Sequence, residues 1–195
     1  VTVNGVRDVA GNTIAANTAV AYTAWIAGGK GFYVEVYTNI PGTAVVNLTT
    51  DPKFISNVPD SAFYTNRLGA GWFANDTGLN NWGVRVTGLL SPPTNGLYRL
   101  YVRGDDGTQI YMNTNGPDAS SRVLVARNDG ANSGTWDNGV GGSATPILSL
   151  NADTLYFTEV FMKEGGGGDH LEVMLRAIDP VSLVAVGGVA AVSVN

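Results

Sequence analysis

Cysteine is absent from the 195 residues. That excludes a disulfide framework, a zinc–thiolate site and a thiol nucleophile. It does not argue for the cytosol, because many bacterial cell-surface proteins also lack cysteine. Positive charge is scarce, with 11 Lys and Arg against 16 Asp and Glu, a net charge of -5, and only 14% charged residues. Without a basic cluster, neither nucleic acid nor an anionic membrane surface is an expected partner. An acidic balance suits divalent cations instead. No apolar run is long enough to cross a bilayer as a helix, so membrane insertion is not expected. No long stretch repeats its apolar residues at helical spacing. The first residue is Val rather than Met, and the chain reads as a piece of something longer, with flanking domains as expected neighbours.

What is present is glycine, at 26 residues, and aromatic side chains, with four Trp, eight Tyr and six Phe. Short alternating runs recur between turn signals: "GFYVEVYT", "TAVVNLTT", "WGVRVTGLL", "GLYRLYVRG", "TQIYMN", "RVLVAR", "TLYFTEVFM" and "HLEVMLRAI". Strands of this length between Gly, Pro, Asn and Asp predict an all-β, antiparallel sandwich or barrel. Residues 1–26 read as terminal strands of a preceding domain or as a docking strand. "IAGGKG" supplies a flexible joint, and 27–195 form the main domain, with its core at 31–178. "LSPPTNG" at 90–96 predicts a tight hairpin, since Pro presets φ and Asn-Gly accepts positive φ. The Gly-rich stretch 128–146 predicts an exposed loop. The apolar end, "VSLVAVGGVAAVSVN", either completes the sandwich as a hairpin or begins a following domain. The terminal strands pair within the chain or with a neighbour, which leaves self-association open.

"VRGDDGTQIYMN", residues 102–113, sets Asp105 and Asp106 side by side between apolar strands. On a regular strand one of the two points into the core, where an unpaired carboxylate is costly. By themselves the residues suit an Asp-Asp-Gly turn with its carboxylates on water or backbone amides. Catalysis is not expected. His170, the only histidine, reads as a hydrogen-bonded surface residue, and no nucleophile elbow supports a Ser-His-Asp triad. Two adjacent Asp residues do not flank a sugar from opposite sides as a glycosidase pair must. Arg103-Gly104-Asp105 spells an integrin tripeptide, but it overlaps the Asp pair. The Asp- and Asn-rich 128–138 stretch lacks EF-hand spacing. Within it, Trp136 either stacks on a sugar or caps the sandwich edge. Trp72 and Trp82 read as core or edge packing.

The order "WGVRVTGLLSPPTNGLYRLYVRGDDGTQIYMN", a long loop, then "LSLNADTLYFTEVFMKEGGGGDHLEVMLRA" resembles the protective-antigen-type (PA-fourteen) domain over about residues 31–178. Leu175 departs from it, where many bacterial members carry Trp. "GVRDVAGN" resembles the closing hairpin of bacterial immunoglobulin-like surface domains. The first resemblance implies a β-sandwich of jelly-roll type and, as in calcium-binding adhesins, an Asp105–Asp106 pair joined by a cis peptide bond that faces one Ca2+. Calcium takes six to eight oxygens, so a second loop must contribute. The resemblance points to "KEGGGGDHLEV", with Asp169 as a side-chain ligand and carbonyls of Gly165, Gly166, Gly167 and Gly168. Glu164 flanks the same glycines. The implied function is a calcium-dependent carbohydrate-binding module of an extracellular or cell-surface bacterial protein, either an adhesin or the appendage of a glycan-degrading enzyme. A glycan or polysaccharide would then contact Asp106 through the ion, and Trp136. The alternative is a structural module of a surface layer, stalk or filament, its calcium only rigidifying loops.

Overall fold

A computed structural model describes residues 2–3, 18–19, 31–68, 77–131 and 143–193. Strands β1 (Thr2–Val3) and β2 (Thr18–Ala19) pair with each other. The main body follows as β3 (Phe32–Tyr37), helices α1 (Val45–Thr49) and α2 (Pro52–Ile55), β4 (Ser61–Thr65), β5 (Arg67–Leu68), β6 (Trp82–Leu90), β7 (Gly96–Asp105) and β8 (Gly107–Met112). It closes with β9 (Val123–Asp129), β10 (Ser143–Ala144), β11 (Leu148–Leu150), β12 (Tyr156–Glu164), β13 (His170–Ile178) and β14 (Ala185–Ser193). One sheet runs β4-β3-β6-β12-β8-β9, and the other β10-β7-β13-β14-β5 with β11 also on β7. Every pairing is antiparallel. The fold is the expected all-β sandwich.

Period-two alternation builds its core. On β7, Tyr98, Leu100 and Val102 turn inward, opposite Val84, Val86, Ile110, Met112, Val160 and Met162 of the facing sheet. The central strands β6 and β12 are buried nearly along their whole length. The reason is a second cluster on the outer face, where α1 sets Val45 and Leu48 against Tyr37, Ile40 and Phe161. Fully burying each such aliphatic side chain stabilises by about 1.5–3 kcal/mol.

Two local expectations are corrected. "TAVVNLTT" is not a strand; it contains α1. Val45 and Leu48, three apart, are its buried pair, and the Asn47 side chain accepts the Ala44 N–H at 3.0 Å. Helix α2 then starts with Pro52 behind Asp51, whose carboxylate accepts the Lys53 N–H at 2.8 Å. Nor is 90–96 a hairpin, because β6 and β7 lie in different sheets. Here the chain arches across the sandwich. Pro92 and Pro93 have no N–H for a ladder, and the Asn95 side chain accepts the Ala152 N–H at 2.8 Å instead of closing its own turn.

At the other end of the chain, β14 pairs with β13 and completes the sheet within the chain. Asp179 shapes the connecting turn by accepting from Val181 N, Ser182 N and Ser182 Oγ. Residues 5–12, which carry the immunoglobulin-like resemblance, lie outside the described residues, as do Trp72 and Trp136.

Leu100→Ala, in the middle of this core, is expected to lower the unfolding free energy by about 2–5 kcal/mol. Val181→Ala, at a side chain that is 91% exposed, should stay within about 0.5 kcal/mol. Urea denaturation of the two variants checks the contrast.

Candidate metal centre

Asp105 ends β7 in one sheet, and Gly107 begins β8 in the other. The Asp pair is therefore where the chain changes sheets, and its peptide bond is cis. A second change of sheet lies next to it. Glu164 ends β12 and His170 starts β13, with Lys163 opposite Gly107 and His170 opposite Asp105 in the two ladders. The glycine loop 165–168 thus closes over the Asp pair. The Gly165 N–H donates to Asp106 Oδ2 at 3.0 Å, and the Asp106 N–H donates to the Lys163 carbonyl at 3.0 Å.

Glycine is required where backbones meet. A Cβ on Gly165 would lie 2.7 Å from Thr43 Cγ2, and one on Gly107 2.8 Å from the Thr43 carbonyl oxygen. The Gly107 N–H donates to that same carbonyl at 3.1 Å. Residues 42–43 therefore form a third wall of the site.

The carboxylates of Asp105, Asp106 and Glu164 come together here, with one oxygen of each within 4.8 Å of the others. Asp105 and Asp106 are half-buried, while Glu164 is completely buried. The Gly166 amide lies near enough to favour the charged Glu164 slightly, yet neither Glu164 oxygen has a hydrogen-bond partner of ordinary geometry. Burial, then the charges of Asp106 and Asp105, push the Glu164 carboxyl up to about 7. Burial and the neighbouring Asp106 charge likewise raise Asp105. Lys163 Nζ, also buried, donates to the carbonyls of Gly42 and Glu164, each at 2.6 Å. It lies close enough for its charge to oppose those of Glu164 and Asp106. Three carboxylates with two orphaned buried oxygens are a hard, anionic oxygen set that fits a divalent cation and no soft metal.

Asp169, the expected side-chain ligand, is not part of this group. Its carboxylate is buried and committed to protein donors, with Oδ1 accepting the Thr77 N–H at 2.9 Å, although its charge still acts on Asp105 and Glu164. Its Oδ2 accepts from Thr77 Oγ1 and, at 3.1 Å, from Trp82 Nε1. Glu164 stands in the cluster instead. Strand parity carried the signal, because Glu164 continues the inward face of Val160 and Met162. The Gly165 carbonyl, among those offered as ligands, accepts the Asn81 N–H at 3.1 Å. The Gly167 N–H reaches Asn80 Oδ1 at 3.3 Å, and a Cβ on Gly168 would meet Asp105 Oδ2 at 4.0 Å.

His170 sits half-buried opposite Asp105, outside the carboxylate group. The Arg103-Gly104-Asp105 tripeptide lies in β7, with the Arg103 guanidinium donating to Glu172. Trp82 is fully buried.

The sandwich has the PA14 fold. It superposes on the PA14 sugar-binding domain from an RTX adhesin with a TM-score of 0.57 and 19% identity, over 85% of this chain and 99% of that one. The Epithelial Adhesin 9 A domain of Candida glabrata, solved with Galβ1-4GlcNAc, matches at 0.55 and 11% identity, over 84% and 86%. The PA14 domain of the antifreeze protein MpAFP matches at 0.51 and 14%, over 85% and 92%. In sequence, 145 residues are 26% identical to mouse (Mus musculus) Fibrocystin-L. That stretch is 70% of this chain, and the chain spans about 3% of the length of that curated relative. No family model matches the chain.

The raised Glu164 carboxyl sets a pH dependence for the metal-free protein. An acid whose pKa is higher folded than unfolded binds more protons folded between the two values, so stability falls as pH rises through that window. With chelator present, the melting temperature should fall from about pH 4.5, its ordinary value, to about 7. Glu164→Gln should flatten the upper part of that fall. Thermal melts across pH in chelator check both.

Proposed function

We propose that this chain is a calcium-dependent carbohydrate-binding module of an extracellular adhesion protein, and not an enzyme. The observation that carries the reading is the convergence of Asp105, Asp106 and the unpartnered Glu164 at one end of the sandwich. Calcium fits this set better than magnesium, which dehydrates reluctantly and demands near-octahedral geometry. Three carboxylates leave part of a six- to eight-oxygen shell to backbone carbonyls, water or a ligand. The Asp side of the group is only half-buried, so the remaining positions face outward. Vicinal sugar hydroxyls are the ligand chemistry such a position takes. The RTX adhesin domain named as sugar-binding and the Candida glabrata adhesin solved with a Galβ1-4GlcNAc disaccharide support a glycan partner and a cell-surface setting. Against catalysis, the acids sit together on one side instead of flanking a cleft.

A second reading follows from the complete burial of Glu164. A cation held from inside rigidifies the junction of two sheets, as a structural module of a surface assembly requires. Calcium would then alter stability or self-association without retaining any glycan.

Calcium should raise the melting temperature and chelator lower it. Binding to the native state alone stabilises by about 2.7 kcal/mol at a hundredfold excess over Kd. Asp105→Ala and Asp106→Ala should abolish that response; a wild-type melt indifferent to both additives removes the metal reading.

Glycan-array binding should require calcium and fail in Asp106→Ala. It should weaken in Trp136→Ala, since that ring is the candidate stacking surface. Calcium-dependent stability with no glycan retained would establish the structural reading instead.

A further inference from the structure

The four consecutive glycines between Glu164 and Asp169 are costly to order, because Gly loses more conformational freedom on ordering than any other residue. A loop of that kind does not hold a cation-binding geometry unless both ends are fixed. One residue fixes both. Trp82 is the ladder partner of Glu164 across β6 and β12, and its indole Nε1 donates to Asp169 Oδ2 at 3.1 Å. The rest of Asp169 is held by Thr77, through its N–H at 2.9 Å and its hydroxyl. The segment ahead of Trp82 also grips the loop itself. The Asn81 N–H donates to the Gly165 carbonyl at 3.1 Å, and Asn80 Oδ1 accepts from the Gly167 N–H at 3.3 Å. From Gly165 the contact passes straight to Asp106 Oδ2. Trp82 itself is anchored in the hydrophobic core.

We infer that Trp82, through Asp169, is a positioning residue that staples the glycine loop shut and thereby sets the cation affinity of the three-carboxylate group without supplying a ligand. This rests on the reading of that group as a cation site. The bond is between an indole N–H and a buried carboxylate, the charge-assisted kind that contributes most. Its loss leaves Asp169 to Thr77 alone and loosens the C-terminal end of the loop, while leaving the β6–β12 ladder, and so the Glu164 backbone, in place.

The test is calorimetric titration with calcium alone on the whole chain. Trp82→Phe keeps an aromatic in the core while removing the donor and part of the ring, and Thr77→Val, close to isosteric, removes the other side-chain donor to the same Asp169 Oδ2. Both should bind calcium at the wild-type stoichiometry with about tenfold weaker affinity, in keeping with loss of one hydrogen bond to a charged group. Leu100→Ala is the control for mere destabilisation, lowering the melting temperature in chelator while leaving calcium affinity unchanged. Unchanged affinity in Trp82→Phe and Thr77→Val, with wild type binding and Asp105→Asn not binding, overturns the staple and leaves the cation site standing. Equal weakening in Leu100→Ala also overturns it, since any loss of stability would then do the same. Absence of binding by wild type overturns the cation site and the staple together.

Discussion

The carboxylate corner of this sandwich follows from two strand-to-strand passages that leave the same pair of strand ends. Strands β7 and β13 are neighbours in one sheet, and β8 and β12 in the other. The chain goes from β7 to β8 at Asp105–Asp106 and from β12 to β13 through the glycine loop, so both passages leave the same pair of strand ends. Backbone approaches there too closely for side chains, which is why Gly107 and Gly165 face Thr43 with no room for a Cβ. The carboxylates that flank those glycines are pressed together by the topology.

How the protein treats its other buried acids shows that this corner is different. Among the described residues, Glu35, Glu159 and Glu172 are buried and each is paired with an arginine: Arg85 with Glu35 at 2.5 Å, Arg122 with Glu159 at 2.5 Å, and Arg103 with Glu172; buried Asp169 is held by Thr77 and Trp82 instead. An ion pair with hydrogen bonds is the ordinary way to keep a buried carboxylate charged. Glu164 is more deeply buried than any of them and has no such partner. Its nearest cation, Lys163, donates to two carbonyls instead. With Asp105 and Asp106 alongside, the cluster carries its own repulsion. Burial and then that repulsion hold the Glu164 carboxyl up at about 7, and a divalent cation would relieve the repulsion.

The strands were legible from short apolar runs between turn signals, with period-two alternation plainest on β7, and the Asp pair because its spacing from the flanking strands resembles a known pattern. Three features were not legible, each for a physical reason. Helix α1 spans only five residues, and its Val-Val pair favours a strand by propensity. Burial of Val45 and Leu48 on Phe161 decides otherwise, a contact made over more than a hundred residues. Asn95-Gly96 carries a hairpin signal, but hairpin and arch differ only in which sheet receives the next strand. Glu164 and Asp169 bracket the same glycines, and composition cannot separate them. The choice is made by an indole 87 residues away in sequence, although the shared face of Val160, Met162 and Glu164 contained the answer.

That division of labour between the two acids gives the site its direction. Asp169 is turned toward Trp82 and Thr77, so its charge is satisfied by protein donors and contributes rigidity. Glu164 meets the Asp pair from the interior, with no exposed surface of its own. Asp105 and Asp106 complete the group from the half-buried side. Were a cation bound among them, Glu164 would hold it from the buried side and the two aspartates from the half-buried side. The glycines between the two acids serve differently: Gly165 has no room for a Cβ beside Thr43, while a Cβ on Gly167 would meet nothing within 4 Å.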